Sequence, residues 1–588
     1  MFASIETFFR MRNLMLHAGF IILLCSCKKN GNTQNPITPG ANIYSLTSNK
    51  AVYNLGETVS LSMSTSPVNA FIRYRYLNDI LFEGPLTSAT WTWQPPTADY
   101  KGYTVEVFTK ESSREKTLAG IAVDVSSDWG KFPRYGFLSD FGQKTSDQMD
   151  GVIKNLNRYH INGLQFYDWQ DKHHQPLAGT VNAPAASWKD IANRDCYKST
   201  VQGYIDRAHQ VGMKAMFYNL CYGALSDAAV DGVQDKWYMY KDAGHVQKDL
   251  FSLPKPPFKS DILFTDPSNA GWQQYLAAKN RDVYQVYNFD GYHIDQVGDR
   301  GKVYNYNGAV TNLAAAFNPF IQAMKTAYPA KKLVFNAVNQ FGQEGSIATS
   351  PVDFLYTEAW TGNEGYKELA AIIQNNGLYS NGKSTVLAAY LNYKEADNPG
   401  TFNTPGVLLA NSVIFAFGGS HIEMGEHMLG KEYFPNNNLQ MNDELKKSMI
   451  AYYDFLTGYE NLLRDGGAFN TPVVTCTNGK MSTGAWPPQS GKVSVQGKVV
   501  EIRQVLHLIN FANATSFDWR DTDGNQPKPN TIIDAQLQVA VSNKVTSVWM
   551  ASPDINFGIP QQLAFTQTGS TIQLKLPELK YWDMIVIE

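Results

Sequence analysis

Between residues 130 and 455, short apolar segments recur eight times, each ending near polar residues and most followed by a stretch long enough for a helix. They are RYGFLSD (134–140), INGLQFYDW (161–169), GMKAMFYNL (212–220), FDGYHIDQVG (289–298), KLVFNAVN (332–339), DFLYTEAW (353–360), TVLAAYLNY (385–393) and SVIFAFGG (412–419). Parallel strands cannot be joined by tight turns and need a crossover, usually helical. SDQMDGVIKNLNRYH has apolar residues at helical spacing after an acidic start, and STVQGYIDRAHQVG ends in the glycine expected at a helix C-terminus. Eight such strand and helix repeats predict a (β/α)8 barrel over 128–465. An open doubly wound sheet is disfavoured because no glycine-rich phosphate turn is present.

The flanks read differently. From Ile43 to Val125 the chain alternates apolar and polar residues in short runs such as GYTVEVFTK, which predicts an antiparallel, immunoglobulin-like β-sandwich over 42–127. The same alternation returns in GKVSVQGKVVEIRQVLHLINF and QQLAFTQTGSTIQLKLPEL, predicting a second antiparallel β-sandwich over 466–588. At the N-terminus, Arg10 and Arg12 precede an apolar run from Leu16 to Leu24, and LCSC follows at 24–27. That run is short for a spanning helix and resembles a bacterial lipoprotein signal (1–27) with Cys27 as the lipidated residue. Residues 28–41 form a polar tether, and the expected location is the outer membrane, at the cell surface or its periplasmic face. Cys196, Cys221 and Cys476 lack the close spacing of a zinc or iron–sulfur site.

A formal charge of -3, from 50 Lys plus Arg against 53 Asp plus Glu, provides no broad basic field, so a nucleic-acid partner is not expected. With 12 Trp, 32 Tyr and 31 Phe the chain is rich in flat side chains that can stack on sugar rings or simply fill cores. In barrel enzymes the site lies where strands end, and there the sequence offers Asp140, Asp168, Asn219, Asp295, Asn336, Asn339, Glu358, Asn392 and the stretch from His421 to Glu426. Asp295 can be a nucleophile, a general base, a metal ligand or a helix cap. Glu358 precedes Ala359 and Trp360, and an acid desolvated by a large aromatic suits proton donation. Glycosidic cleavage needs such a pair of carboxyls, although position alone leaves their roles exchangeable. HIEMGEH at 421–427 lacks the spacing of the zinc-protease HExxH, and no G-x-S-x-G elbow is present.

FPRYGFLSDF (132–141), INGLQFYDWQDKHHQPL (161–177), NFDGYHIDQVGDRG (288–301), FLYTEAW (354–360) and VWMASPD (548–554) resemble glycoside hydrolase family 66, the dextranases and cycloisomaltooligosaccharide glucanotransferases. The resemblance implies a retaining, endo-acting enzyme on α-1,6-glucan, with Asp295 as nucleophile, Glu358 as acid/base, and no cofactor or metal. Dextran and isomaltooligosaccharides are the implied ligands, with Asp168, His173, His174, Asn336, Asn339, Trp360, Tyr390, Asn392, His421 and Glu423 as candidates for holding sugars. The glucanotransferases resemble the chain in the barrel but carry a carbohydrate-binding insertion within it. Since no β-rich block interrupts the repeats here, the expectation is a dextranase that hydrolyses dextran. The alternatives are a glucanotransferase or a noncatalytic glucan-binding surface lipoprotein.

Overall fold

The computed structural model describes residues 44–111 and 114–588; the expected signal with Cys27 and the tether at 28–41 lie outside the described residues. One sheet contains eight parallel strands: β1 (Tyr135–Leu138), β2 (Gly163–Phe166), β3 (Lys214–Leu220), β4 (Gly291–Asp295), β5 (Lys332–Val338), β6 (Leu355–Glu358), β7 (Thr385–Ala388) and β8 (Ser420–His421). Each pairs with its neighbour in sequence, and the sheet curls into a near-closed barrel. Its ends are stitched by the Phe137 N–H donating to the Met424 carbonyl at 3.1 Å and the Ser420 hydroxyl donating to the Pro133 carbonyl at 2.7 Å.

Alternate residues of each strand point into the barrel and fill it. Tyr135, Phe137, Met216, Tyr218, Val334, Tyr356, Val386 and Ala388 form a buried interior cluster, and His293 stacks among Tyr135 and Tyr218 with its edge on Tyr356. The opposite parity, including Leu164, Phe217, Ile294, Phe335 and Leu387, belongs to the core around the helices. The interior is therefore a packed layer of side chains rather than a pore, as in other barrels of this kind.

Helices α1 (Ser146–Arg158), α2 (Lys198–Gln210), α3 (Ala270–Val286), α4 (Leu313–Ala327), α5 (Tyr366–Ser380), α6 (Thr404–Ala416) and α7 (Asp443–Gly458) carry most of the connections. Thr145 and Gln148 close a capping box at the start of α1, satisfying backbone N–H groups that the first turn leaves free. Gly212, at φ 82°, takes the left-handed conformation just beyond α2, as its place in the sequence predicts. Between β5 and β6 a short helical turn, Gln343–Ile347, replaces a full helix.

One expected strand is corrected. In SVIFAFGG (412–419), Ser412 to Ala416 are the last residues of α6, and the eighth strand is only Ser420–His421. Helix α6 is buried nearly throughout, packed between its neighbouring helices and the strand Arg503–Asn510 of the C-terminal unit. A helix covered on every side has no polar stripe, so its apolar run shows no period that separates it from a buried strand.

Before the barrel, a three-stranded sheet (Leu46–Ser48, Val59–Met63, Thr90–Trp93) and a four-stranded sheet (Ala70–Tyr76, Asp79–Pro85, Lys101–Glu111, Arg114–Val125) share a core that includes Leu61, Ile72, Tyr74, Trp93 and Ile121. After it, a sheet containing Val493–Val500, Arg503–Asn510 and Trp582–Ile587 packs on another containing Ile532–Ala540 and Thr571–Leu579. The last barrel helix, α8 (Glu460–Leu463), helps to fix the N-terminal unit. Arg134, fully buried, donates to Asp124 at 2.5 Å, to Glu460 at 3.1 Å and to the His160 carbonyl at 2.6 Å. Asp454 of α7 accepts from the Ala122 N–H, from Arg158 and from His160. Within the C-terminal unit, Asp554 of the VWMASPD segment accepts from the Tyr581 and Trp582 N–H groups and from the Tyr452 hydroxyl of α7.

Removing one member of a buried ion network strands the others without partners. Arg134→Met is expected to destabilise the protein by about 3–5 kcal/mol, read as a shift of the denaturant midpoint; a change below about 1 kcal/mol would mean that Asp124 and Glu460 are not held by this arginine.

Candidate active site

Asp295 and Glu358 are the last residues of β4 and β6, on the parity that points into the barrel. Asn336 stands between them on β5, the strand that pairs with both. Its side-chain nitrogen donates to Asp295 Oδ1 at 2.8 Å and to Glu358 Oε2 at 3.2 Å. Two oxygens so placed around one nitrogen can be no farther apart than the two distances end to end, about 6 Å. With one oxygen on each of the two diverging amide hydrogens, the separation is about 5 Å. Each carboxylate also accepts a tyrosine hydroxyl: Tyr218 reaches Asp295 Oδ2 at 2.7 Å and Tyr390 reaches Glu358 Oε1 at 2.8 Å. Burial, with the charge of Glu358 added, pushes the Asp295 carboxyl up to about 6.

The other sequence candidates divide. Asp168 and His173 line a small pocket that shares Tyr218 with the carboxylate pair and is closed by Leu220, Phe258, Glu432 and Tyr433. Burial raises Asp168 to about 7 and lowers His173 to about 4, so the imidazole is neutral at neutral pH. His173 Nδ1 is paired with Asn219 at 2.8 Å, while its buried Nε2 has no hydrogen-bond partner among the described residues. Trp360 stands partly exposed beside Tyr390, ring centroids 5.5 Å apart.

Several candidates are engaged with the protein itself. Asn339, at φ 49°, accepts from the Trp360 N–H and donates to the Thr361 carbonyl, shaping the loop after Glu358. Asn392, at φ 50°, donates to Asp521 and accepts from the Asn403 N–H. His421 spends one ring nitrogen on Asn411 and the other on the Ala389 carbonyl. Glu423 is buried, accepting from Asn411 and Tyr453. Asn392, His421 and Glu423 thus hydrogen-bond to elements of the frame. His174 pairs with Asp231 at 2.9 Å, and its ring and the carboxylates of Asp227 and Asp231 lie close enough together to hold a cation. The Lys172 ammonium already bridges those two carboxylates at 2.7 and 2.8 Å.

Two contributors escaped the sequence reading. Tyr218 shares strand parity with Met216, and its neighbour Leu220 is in register with Asp295, a signal that alternation within GMKAMFYNL carries. Arg520 comes from the C-terminal unit. Its guanidinium donates to the Ala359 carbonyl at 2.9 Å and the Tyr390 carbonyl at 3.2 Å, beside Trp360 and Tyr393. Nothing local in the sequence announces it.

A barrel with two buried carboxyls meeting at the C-terminal ends of its strands defines a glycosidase-type enzyme. The sequence matches glycosyl hydrolase family 66 over residues 48–586, and the chain belongs to that family. Two cycloisomaltooligosaccharide glucanotransferases of Niallia circulans are 27% and 28% identical to it, each alignment covering 86% of this chain and 66% of the relative, so the chain spans just under two thirds of their length. A dextranase of Streptococcus salivarius is 24% identical over 83% of this chain and 67% of its own. A solved cycloisomaltooligosaccharide glucanotransferase of Paenibacillus sp., complexed with cycloisomaltoheptaose, superposes with a TM-score of 0.82 at 25% identity, covering 92% of this chain and all of that one.

These similarities overturn the expected leaning toward the dextranases and toward hydrolysis. The physical reason is that hydrolysis and transfer share the same two carboxyls and differ in which hydroxyl reaches the intermediate, so the strand-end motifs do not discriminate them. Family membership likewise sets aside the noncatalytic alternative.

The raised Asp295 has a measurable consequence for stability. Its folded value of about 6 lies above the ordinary 3.8, so folding pays for an ionised, buried carboxylate at pH 7, and that cost disappears as pH falls through 6 toward 3.8. Asp295→Asn should gain about 2–3 kcal/mol at pH 7 and markedly less near pH 4.5, measured by denaturant unfolding at both; an equal gain at the two pH values would place its origin elsewhere.

Proposed function

We propose that this enzyme is a retaining glucanotransferase acting on α-1,6-glucan, with cyclic isomaltooligosaccharides among its products. The observation that carries the reading is the single Asn336 nitrogen in contact with both carboxylates. A gap of about 5 Å suits direct attack by one carboxylate, whereas inversion needs about 6.5–9.5 Å to admit a water between them. The similarity to glucanotransferases over most of the chain supports transfer over hydrolysis.

In the first step, the carboxyl proton of Glu358 passes to the interglucose oxygen and the C1–O bond breaks. An ionised oxygen of Asp295 bonds to C1, and the fragment on the leaving side departs as an alcohol. In the second, a hydroxyl at the non-reducing end of the same chain attacks C1. Glu358, now ionised, takes the hydroxyl proton, the C1–Asp295 bond breaks, and the ring closes. Two displacements at C1 return the original anomeric configuration. Water is the competing acceptor and gives a linear product. Tyr218 and Tyr390 orient the two acids by donating to the oxygens that Asn336 leaves free. Asp168 and His173 are the best-placed candidates for sugar hydroxyls, and Trp360 for a ring face.

The flanking sheets support the reading of an immunoglobulin-like unit before the barrel and a β-sandwich after it. The basic, apolar and LCSC sequence at the N-terminus supports export and lipid attachment at Cys27. Among the described residues no helix is long and apolar enough to cross a membrane. A diacylglyceryl mass on an N-terminal Cys27 is the expected finding; an unmodified Cys27 in cells would overturn the anchor.

Dextran digested by the wild type should yield cyclic oligosaccharides that lack a reducing end and resist exo-acting glucosidase. Asp295→Ala and Glu358→Gln should each lower the rate by about a thousandfold or more. Linear reducing products alone, from the earliest times, would refute the transferase reading, and an inverted anomer in an NMR time course would refute retention.

A further inference from the structure

The loop at 517–522 leaves the C-terminal unit and wedges between the loops that follow β6 and β7. On one side, the Tyr366 N–H donates to the Phe517 carbonyl at 3.0 Å, the Trp519 N–H to the Glu364 carbonyl at 2.9 Å, and the Trp519 indole N–H to the Asn363 carbonyl at 2.6 Å. On the other, the Asn392 N–H donates to the Arg520 carbonyl at 2.8 Å and the Lys394 N–H to the Thr522 carbonyl at 3.2 Å. The inserted backbone thus takes the place of a spacer between two strand ends that carry Glu358 and Tyr390.

Arg520 projects from this wedge and is 8% exposed. One arm of its guanidinium donates to the carbonyl of Ala359, the residue after Glu358, and the other to the carbonyl of Tyr390, whose hydroxyl donates to Glu358. The planar fork is held by rings around it, with its central carbon 4.5 Å from the centre of Trp519, 5.2 Å from Trp360 and 5.3 Å from Tyr393. A rigid two-pronged donor fixes the distance between its two acceptors in a way that a lysine ammonium does not.

We propose that Arg520 is a positioning residue for proton transfer: by spanning the Ala359 and Tyr390 carbonyls it sets the placement of Glu358 against its tyrosine partner. The C-terminal unit is accordingly part of the catalytic apparatus, although Arg520 does not itself touch the reacting atoms. This rests on Glu358 being the acid/base, and the test separates the two ideas.

Dextran has a poor leaving group that needs the acid, whereas the fluoride of α-isomaltosyl fluoride leaves with little protonation. Arg520→Met should lower kcat/KM on dextran by about 10- to 100-fold while changing kcat/KM on the fluoride by less than about threefold. Arg520→Lys keeps a cation among the rings but cannot span both carbonyls; it should show the same selective loss, and it carries the test if the methionine variant does not fold. Equal losses on both substrates, or none on dextran, would overturn the proposal. Glu358→Gln is the reference: if it too lacks a selective loss on dextran, the acid/base assignment fails rather than the role of Arg520.

Discussion

The alternation of side chains along eight strands is the constraint on which the rest of this molecule depends. A near-closed barrel must bury one parity of every strand inside and the other beneath helices. Tyr135, Met216, His293, Val334, Tyr356 and Val386 fill the interior. The inward positions toward the C-terminal end of each strand remain to face the mouth. Asp295 follows His293 by two residues, Asn336 follows Val334, and Glu358 follows Tyr356, so chemistry and packing are carried by the same parity. The polar residues need no separate scaffold, because the hydrophobic layer below them holds their strands in register.

That arrangement comes with an electrostatic cost at its centre and support from outside it. Burial, with the charge of the neighbouring Glu358 added, raises the proton affinity of Asp295. Three neutral donors, Tyr218, Asn336 and Tyr390, satisfy the two carboxylates without cancelling their charge. Support comes through braces to the flanking units. Arg134 and Asp454 fasten the N-terminal unit beneath the barrel, and Asp554 fastens the C-terminal unit beside α7. The 517–522 loop then returns to the mouth, so the outer units frame the site instead of merely hanging from it.

Much of the site was legible because strand ends are local features: an apolar run, then a carboxylate. At Asn392, His421 and Glu423 a polar residue near a strand end bonds to the frame instead of to the carboxylate pair. Asp168, Asn339 and Asn392 all take left-handed backbone conformations, which Asx residues tolerate and which redirect the side chain from the parity of the preceding strand. Asp168 still reaches the pocket; the other two do not. Helix α6 hid for a different reason, since complete burial erases the periodicity that marks a helix.

The sequence by itself determined the barrel, the two carboxyls and, through its family motifs, the class of chemistry, because each is written in spacing over ten or twenty residues. Only the tertiary structure decided that one amide would touch both acids, that Tyr218 would join them, and that an arginine 161 residues beyond Ala359 would brace the loop carrying the acid. Those contacts depend on how the sheet closes and where the C-terminal unit docks, and no local pattern encodes the direction in which a distant loop returns. The choice between sugar and water as acceptor likewise depends on what the completed mouth admits, which is why the same pair of acids serves both kinds of enzyme.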